Sequence, residues 1–410
     1  MLLCVYEDAA AAHLAPLTLT RAQFDLYLAL GTVAEGVERA FGRAVEAFET
    51  RPKVAALAAL AHPSALVNAR PEGANVLAVS AACASLPPRV TARLAAAARE
   101  GTARAFVQDG SIVAAFLPSA PAAVPIVTLA ADAPAEEVEG VLLVRRLWDL
   151  APQVHAFIEA DLARYRPASI PEGASIHPSA VLVAPEHIVL SPGVRIRAGA
   201  VVTGEDGPVV LLEGAEVGEH AVVRGPCVIG VGSLVKPLSS VEDAVVGPGC
   251  KVGGEVHTSL FLGRANKAHA GFLGHSVIGH WCNLGAGTDT SNLRNDYGEV
   301  ALYDPVTARY EPTGQQFLGL VFGDHSKCSI GTTFNTGTVV GVGCNLYGAG
   351  FHDRHVPSFA WGEPGAYVRY RFDKFARVAE AVLARRKLTL HETERAHLER
   401  LSQGPHTFRP

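Results

Sequence analysis

From residue 170 to residue 284 the chain keeps a beat of six. Aliphatic residues recur at Ile170, Ile176, Leu182, Ile188, Val194 and Ala200, and the beat resumes at Val217, Val223, Ile229, Val235 and Val241. It returns at Val246 and Val252, and again at Phe272, Ile278 and Leu284. Turn residues fill the intervals, as in Ser191-Pro192-Gly193 and Gly247-Pro248-Gly249. A period of six is neither that of a helix nor that of a simple strand. It suits a solenoid with flat sides, each a short strand and a tight turn, with one inward aliphatic side chain per side. A parallel β-helix is therefore expected over residues 168–362.

Such a coil has open ends that need covering. The tail, 363–410, supplies amphipathic helices: FDKFARVAEAVLARRKL, then HETERAHLERL with its N-cap expected at Thr389. Residues 1–160 follow a different pattern, that of an α/β domain. LLCVY and NVLAVSA read as strands, TVAEGVERAFGRAVEAF and PPRVTARLAAAAREG as helices, and ARAFVQ and SIVAAFL as a strand pair. A third helical stretch, LWDLAPQVHAFIEADLARY, leads out towards Pro167.

Composition excludes several function classes. The net charge of −5 with no basic run argues against a nucleic-acid partner. Seven cysteines occur singly, with no C-x-x-C pair, which is neither a disulfide framework nor a zinc site. MLLCVYEDAA has no basic start and meets acid at Glu7, so no signal peptide is expected. No apolar run has the length of a membrane span, and a soluble cytoplasmic protein is expected.

Chemistry concentrates late in the chain. Six of the eight asparagines lie between Asn266 and Asn345, with His269, His275 and His280 among them. Asparagine tolerates left-handed corners, and its amide also offers donor and acceptor together to a ligand's hydroxyl and amino groups. Asn335 and Asn345 are read as turn or stacking residues, and His275 and His280 as coil-edge residues.

At these residues the chain resembles a known family. The KAH, FLG, NLGAGT and SN elements between Leu262 and Gly298 are similar to the acetyltransferase half of the bacterial bifunctional N-acetylglucosamine-1-phosphate uridylyltransferase/glucosamine-1-phosphate acetyltransferases. The closest likeness is to a divergent branch described as sugar nucleotidyltransferases. It extends over GLVFGDHSKCSIGTTFNTGTVVG and PSFAWG, and more loosely to APLTLTR (Ala15 to Arg21) and VNAR (Val67 to Arg70).

The resemblance implies a left-handed parallel β-helix with hexapeptide repeats that assembles as a homotrimer, burying coil sides against two neighbours. The outward apolar residues Val222 and Val245 fit such an interface. It implies His269 as the base that takes the proton of a sugar amine attacking acetyl-CoA, with Glu255 orienting it; an imidazole titrates in the range such a step needs. Asn283 and Asn292 fall at substrate-binding positions, and Ala286 at a small residue near the acetyl-CoA thioester. His257 stands where the family has a phosphate-binding lysine, with Lys267 as a possible replacement cation. Phe272 stands where a tyrosine is usual. Should His269 not be the base, His325 is the next candidate.

In the first half the resemblance implies Arg21, Asn68 and Arg70 near a nucleotide, with magnesium and a nucleoside triphosphate required if that domain is active. A glycine-rich loop for the phosphates is missing: YEDAAAAHLAPLTLTR stands in its place. Tyr27 and Val154 also depart from the branch, which commonly has an arginine and an asparagine there. An active and a degenerate N-terminal domain both stay open.

Three functions follow: N-acetyl transfer to an amino sugar 1-phosphate, such as glucosamine 1-phosphate, with or without nucleotidyl transfer; nucleotidyl transfer to a sugar 1-phosphate with a structural β-helix; or a non-catalytic sugar-nucleotide-binding trimer.

Overall fold

The structure is a computed structural model that describes residues 1–162 and 171–404. Ile170, first of the six-residue beats, and Pro167 lie outside the described residues. Two compact units emerge: Met1–Leu26 with Gly31–Leu147, and Tyr27–Leu30 with the chain from Trp148 onward.

The first unit is built on a seven-stranded sheet. Leu2–Tyr6 lies between Ala47–Glu49 and Ala74–Ser80 and runs parallel to both. Ser111–Ala120 then runs antiparallel between Ala74–Ser80 and Arg104–Gln108. Four α-helices belong to this unit, besides short 3-10 turns: α1 (Val33–Phe41), α2 (Ala55–Ala61), α3 (Pro88–Glu100) and α4 (Ile126–Asp132). The helix expected over TVAEGVERAFGRAVEAF is shorter than the sequence suggests. Thr32 and Glu35 form a capping box at its start, and Gly42, at φ 64°, ends it. The AVEAF portion instead supplies the strand Ala47–Glu49, where pairing with Leu2–Tyr6 outweighs alanine's helix preference.

The second unit is the parallel β-helix flanked by helices that the six-residue beat predicts. Its first side stacks Ser175–Ile176, Arg195–Ile196, Glu216–Val217, Leu234–Val235, Lys251–Val252 and Asn266–Lys267. The longer strands Val222–Ile229, Ser240–Val246 and Glu255–Phe261 wrap the second and third sides, bending at the corner between them. Inward residues of all three sides, among them Val217, Val223, Ile229, Val235, Val241, Val246 and Val252, form one fully buried core. Each such burial contributes about 1.5–3 kcal/mol, which is why the beat is aliphatic.

Two departures from the beat matter. Leu273 points into the core and Phe272 does not: inward Lys267 to Leu273 is a step of six, and the corner at His275 then needs only five residues to reach inward Ile278. A one-residue shift reverses every side chain of a strand. The coil is also interrupted after Asp289–Thr290, where residues 291–319 loop out and carry the hairpin Ala301–Asp304/Arg309–Pro312. Tyr303 of this hairpin stacks on His355 of the coil at 3.6 Å.

Among the described residues three α-helices complete this unit. α5 (Val154–Leu162) lies against the strands Val222–Ile229, Ser240–Val246 and Glu255–Phe261. Val228, Val245 and Leu260 point away from the core on those strands and are nevertheless wholly buried. The expectation that Val245 offers an exposed stripe is thus corrected; Val222 remains partly exposed. α6 (Phe372–Ala384) places Phe375 against Phe359. α7 (Glu392–Ser402) is capped by His391, not Thr389: its ring accepts from the Thr393 amide, and Glu394 completes a capping box.

Candidate active site

The corner between the first and second sides holds His269. It follows Asn266–Lys267 and precedes Phe272–Gly274, and its side chain is exposed. In the next coil the same corner is Gly285-Ala286-Gly287, and the Gly287 amide donates to the Ala270 carbonyl at 3.0 Å. One coil further, the Gly331 amide donates to the Ala286 carbonyl at 2.7 Å. His269 and Ala286 are therefore stacked neighbours. The Ala286 amide has no hydrogen bond among the described residues.

The second side beyond this corner carries Glu255 and His257, two residues apart and on one face. In register, Glu255 pairs with Phe272 and His257 with Gly274. A β-carbon on Gly274 would lie 2.5 Å from Cζ of Phe272 and 2.6 Å from Nδ2 of Asn292. The absent side chain is what lets Phe272 and Asn292 meet there. Asn292 Nδ2 donates to His275 Nδ1 at 2.9 Å, and the His275 ring stacks on Phe317 from the looped-out segment. Burial first, and then neighbouring His257, push His275 down to about 4, so it is neutral.

Other expected residues are placed differently. Asn283 lies on the first side, bridged to Asn266 and Lys327, and its Oδ1 accepts from Asn266 Nδ2 at 2.8 Å. It is thus on a different side from Asn292. Lys267 pairs with inward Val252, is 1% exposed, and donates to the carbonyls of Gly253 and His269 at 2.9 Å. Burial pulls its amine down to about 8. Among the described residues no ion pair or hydrogen bond joins Glu255 to His269. His325 is buried, with its ring edge-on to Phe375 at 5.7 Å. Asn335 caps its own turn, accepting from the Thr336 amide.

In the first unit, ligands of open α/β sheets bind at the carboxyl ends of strands where the order reverses. That point lies between Leu2–Tyr6 and Ala74–Ser80, at Asp8 and Ser80. Asp8 caps the short helix Ala9–Leu14 by accepting from the Ala10 amide at 2.8 Å. Its carboxylate therefore occupies backbone that a phosphate-cradling loop would leave open. Arg21 donates to the Leu17 carbonyl at 3.1 Å. Arg70 is buried, bound to Glu49 and to the carbonyls of Pro121 and Val124. Asn68 sits at φ 52° and accepts from the Thr50 amide. Sequence reasoning missed Glu7 and Arg51: Glu7 is 8% exposed and binds Arg51, whose guanidinium also donates to the Thr18 and Arg21 carbonyls. Only the acid in YED, ending a strand, signals it.

Residues 3–167 match the family model described as sugar nucleotidyl transferase. Part of the chain also aligns with curated proteins named bifunctional protein GlmU. The chain is their distant relative. It is 28% identical over 185 residues to that of Nitratidesulfovibrio vulgaris, covering 39% of this chain and 37% of the relative. It is 33% identical over 104 residues to that of Methanocaldococcus jannaschii, covering 25% of each. In both cases well under two thirds of the relative is spanned. The solved Arabidopsis UDP-N-acetylglucosamine acyltransferase aligns over 57% of this chain and 90% of its own, at 16% identity and a TM-score of 0.27. Among the described residues, no helix is long and apolar enough to cross a membrane.

Proposed function

We propose that this protein transfers the acetyl group of acetyl-CoA to the amine of an amino sugar held on the second side of the β-helix. One observation carries the reading: exposed His269 is stacked beside Ala286, whose amide is open, at the edge of the face that bears Glu255 and Asn292. The sugar nitrogen attacks the thioester carbonyl, and His269 takes the proton the nitrogen sheds. The oxyanion meets the Ala286 N–H, and its collapse breaks the carbon–sulfur bond and releases coenzyme A. Asn292, oriented by His275, binds a substrate hydroxyl through its remaining amide groups.

Two exposed aliphatic side chains, Leu238 and Ile330, lie on the same corner as His269, on coils before and after it. A neighbouring copy of the chain would cover them, which supports a homotrimer.

The match of the first unit to sugar nucleotidyl transferases favours a second activity, nucleotidyl transfer to a sugar 1-phosphate. Asp8 is the carboxylate at the switch point that would help hold magnesium, alongside the nucleotide's own phosphates. Incubation with labelled acetyl-CoA and an amino sugar, and separately with UTP, magnesium and N-acetylglucosamine 1-phosphate, tests both. Absence of acetylated sugar overturns the first activity; absence of nucleotide sugar overturns the second.

A further inference from the structure

We propose that Lys267 is a positioning residue for acetyl transfer: from inside the coil its ammonium holds the His269 carbonyl, and through it the outward imidazole that takes the substrate's proton. The inference rests on the acyl-transfer reading and adds a residue to it.

Lys267 interrupts an aliphatic column. Below it the inward positions of the first side hold Ile196, Val217, Val235 and Val252, and above it stands Leu284. An aliphatic residue would continue that core, whereas an ammonium taken out of water is costly unless hydrogen bonds replace its hydration. Lys267 is wholly buried, and burial pulls its amine down to about 8. A side chain that weakens the core in this way answers a local need.

The need is a mismatch between two stacked corners. From inward Val252 to inward Val256 the chain takes a step of four, and in the coil above, from Lys267 to Leu273, a step of six. The longer corner folds down over Gly253-Gly254. A β-carbon on Gly254 would lie 2.7 Å from the Gly271 carbonyl oxygen and 2.9 Å from that of His269, and one on Gly253 would lie 2.8 Å from that of Ala268. Two carbonyls, those of Gly253 and His269, are met by no backbone N–H among the described residues. Lys267 Nζ donates to each at 2.9 Å. It ties the short corner to the long one, and a charged donor makes the stronger kind of hydrogen bond.

Fixing the His269 carbonyl fixes the backbone from which the imidazole projects. Lys267 itself does not meet substrate, because its amine is inside the coil and the His269 side chain is outside. A plug that only satisfied two carbonyls would stabilise the coil and leave turnover alone. A clamp on the base changes the rate of the chemical step.

The test is single-turnover acetyl transfer by Lys267→Met, which keeps the stem and removes the donors, with dissociation constants measured in parallel. The rate should fall about 10- to 100-fold, while binding of acetyl-CoA and of glucosamine 1-phosphate stays within about twofold. In a His269→Ala background the same change should alter the residual rate by less than about twofold, since no base is left to position. Gly254→Ala, whose methyl would press on the His269 carbonyl, should give the same pattern and replaces Lys267→Met should that variant not fold. Full turnover in either folded variant, or losses that multiply in the double variant, overturns the inference and leaves acyl transfer standing. A wild type that acetylates no amino sugar removes the acyl-transfer reading instead. Crystal structures of wild type and Lys267→Met then decide the clamp: a displaced His269 supports it, and an unmoved one overturns it.

Discussion

Asn292 Nδ2 donates to His275 Nδ1 at 2.9 Å, and this bond joins the looped-out segment to a corner of the coil seventeen residues before it in the chain. It fixes the tautomer of His275, whose Nδ1 must accept, and it fixes which way the Asn292 carbonyl faces. Replacing Asn292 by Ala should raise the sugar KM about tenfold, the loss of roughly one hydrogen bond of 1–1.5 kcal/mol, with kcat little changed. Gly274→Ala should act similarly, since its new methyl would overlap Asn292 Nδ2. Steady-state kinetics on both variants check this; a fall in kcat at constant KM contradicts it.

His269→Ala should lower acetyl transfer on the order of 10²–10⁴-fold while acetyl-CoA and sugar still bind. Single-turnover rates with binding constants measured in parallel decide it. Full turnover in the variant would show that another group takes the proton.

Lys267 contributes a stability that rises with alkaline pH. Its folded-state value of about 8 lies below the ordinary lysine value, so between about 8 and 10.5 this side chain holds more protons in the unfolded chain than in the folded one. Its own contribution therefore increases across that window, by up to about 1.4 kcal/mol per pH unit. Burial raises the thiols of Cys4, Cys83, Cys227, Cys250 and Cys344, which act in the opposite direction above about pH 9, so the difference between wild type and Lys267→Met is the readout. Urea midpoints of the two proteins at pH 7, 8, 9 and 10 should shift in favour of the wild type as pH rises; a constant difference contradicts it.

His352 works at the acid end. It is 2% exposed between Phe334 and Tyr367, its Nδ1 shares a hydrogen bond with the Tyr367 hydroxyl at 2.9 Å, and its Nε2 is buried without a partner. Burial pushes it down to about 4. Its folded-state value is depressed, so its contribution is fully present above about 6.5 and is lost as pH falls towards 4. His275 adds to the same loss. His352→Phe should flatten thermal-melt midpoints between pH 6.5 and 4 relative to wild type.

Light scattering at micromolar concentration should report a trimer. Leu238→Asp with Ile330→Asp should lower the mass by placing charge where Leu238 and Ile330 would be covered. A monomeric wild type removes the proposal.

Much of the fold was legible because hexapeptide periodicity is local: an inward aliphatic residue every six positions makes a coil whatever lies around it, and Val217 to Val252 kept that rhythm into the core. The α/β character of the first unit and the end of α3 at Gly101 were similarly local, whereas the sequence reading carried α1 past its actual end at Gly42. What the sequence could not decide depends on how corners accumulate. The slip that turns Leu273 inward and leaves Phe272 outward is decided by stacking on the coil below, as is the burial of Lys267 at an inward position. Asn283 and Asn292 are nine residues apart and read alike, yet one joins a ladder on the first side and the other orients His275 beside the second. Val245 alternates outward as its strand requires, but α5, more than eighty residues earlier, covers it. Periodicity sets the coil; side, register and cover are long-range, because each is settled by contacts between residues far apart in the chain.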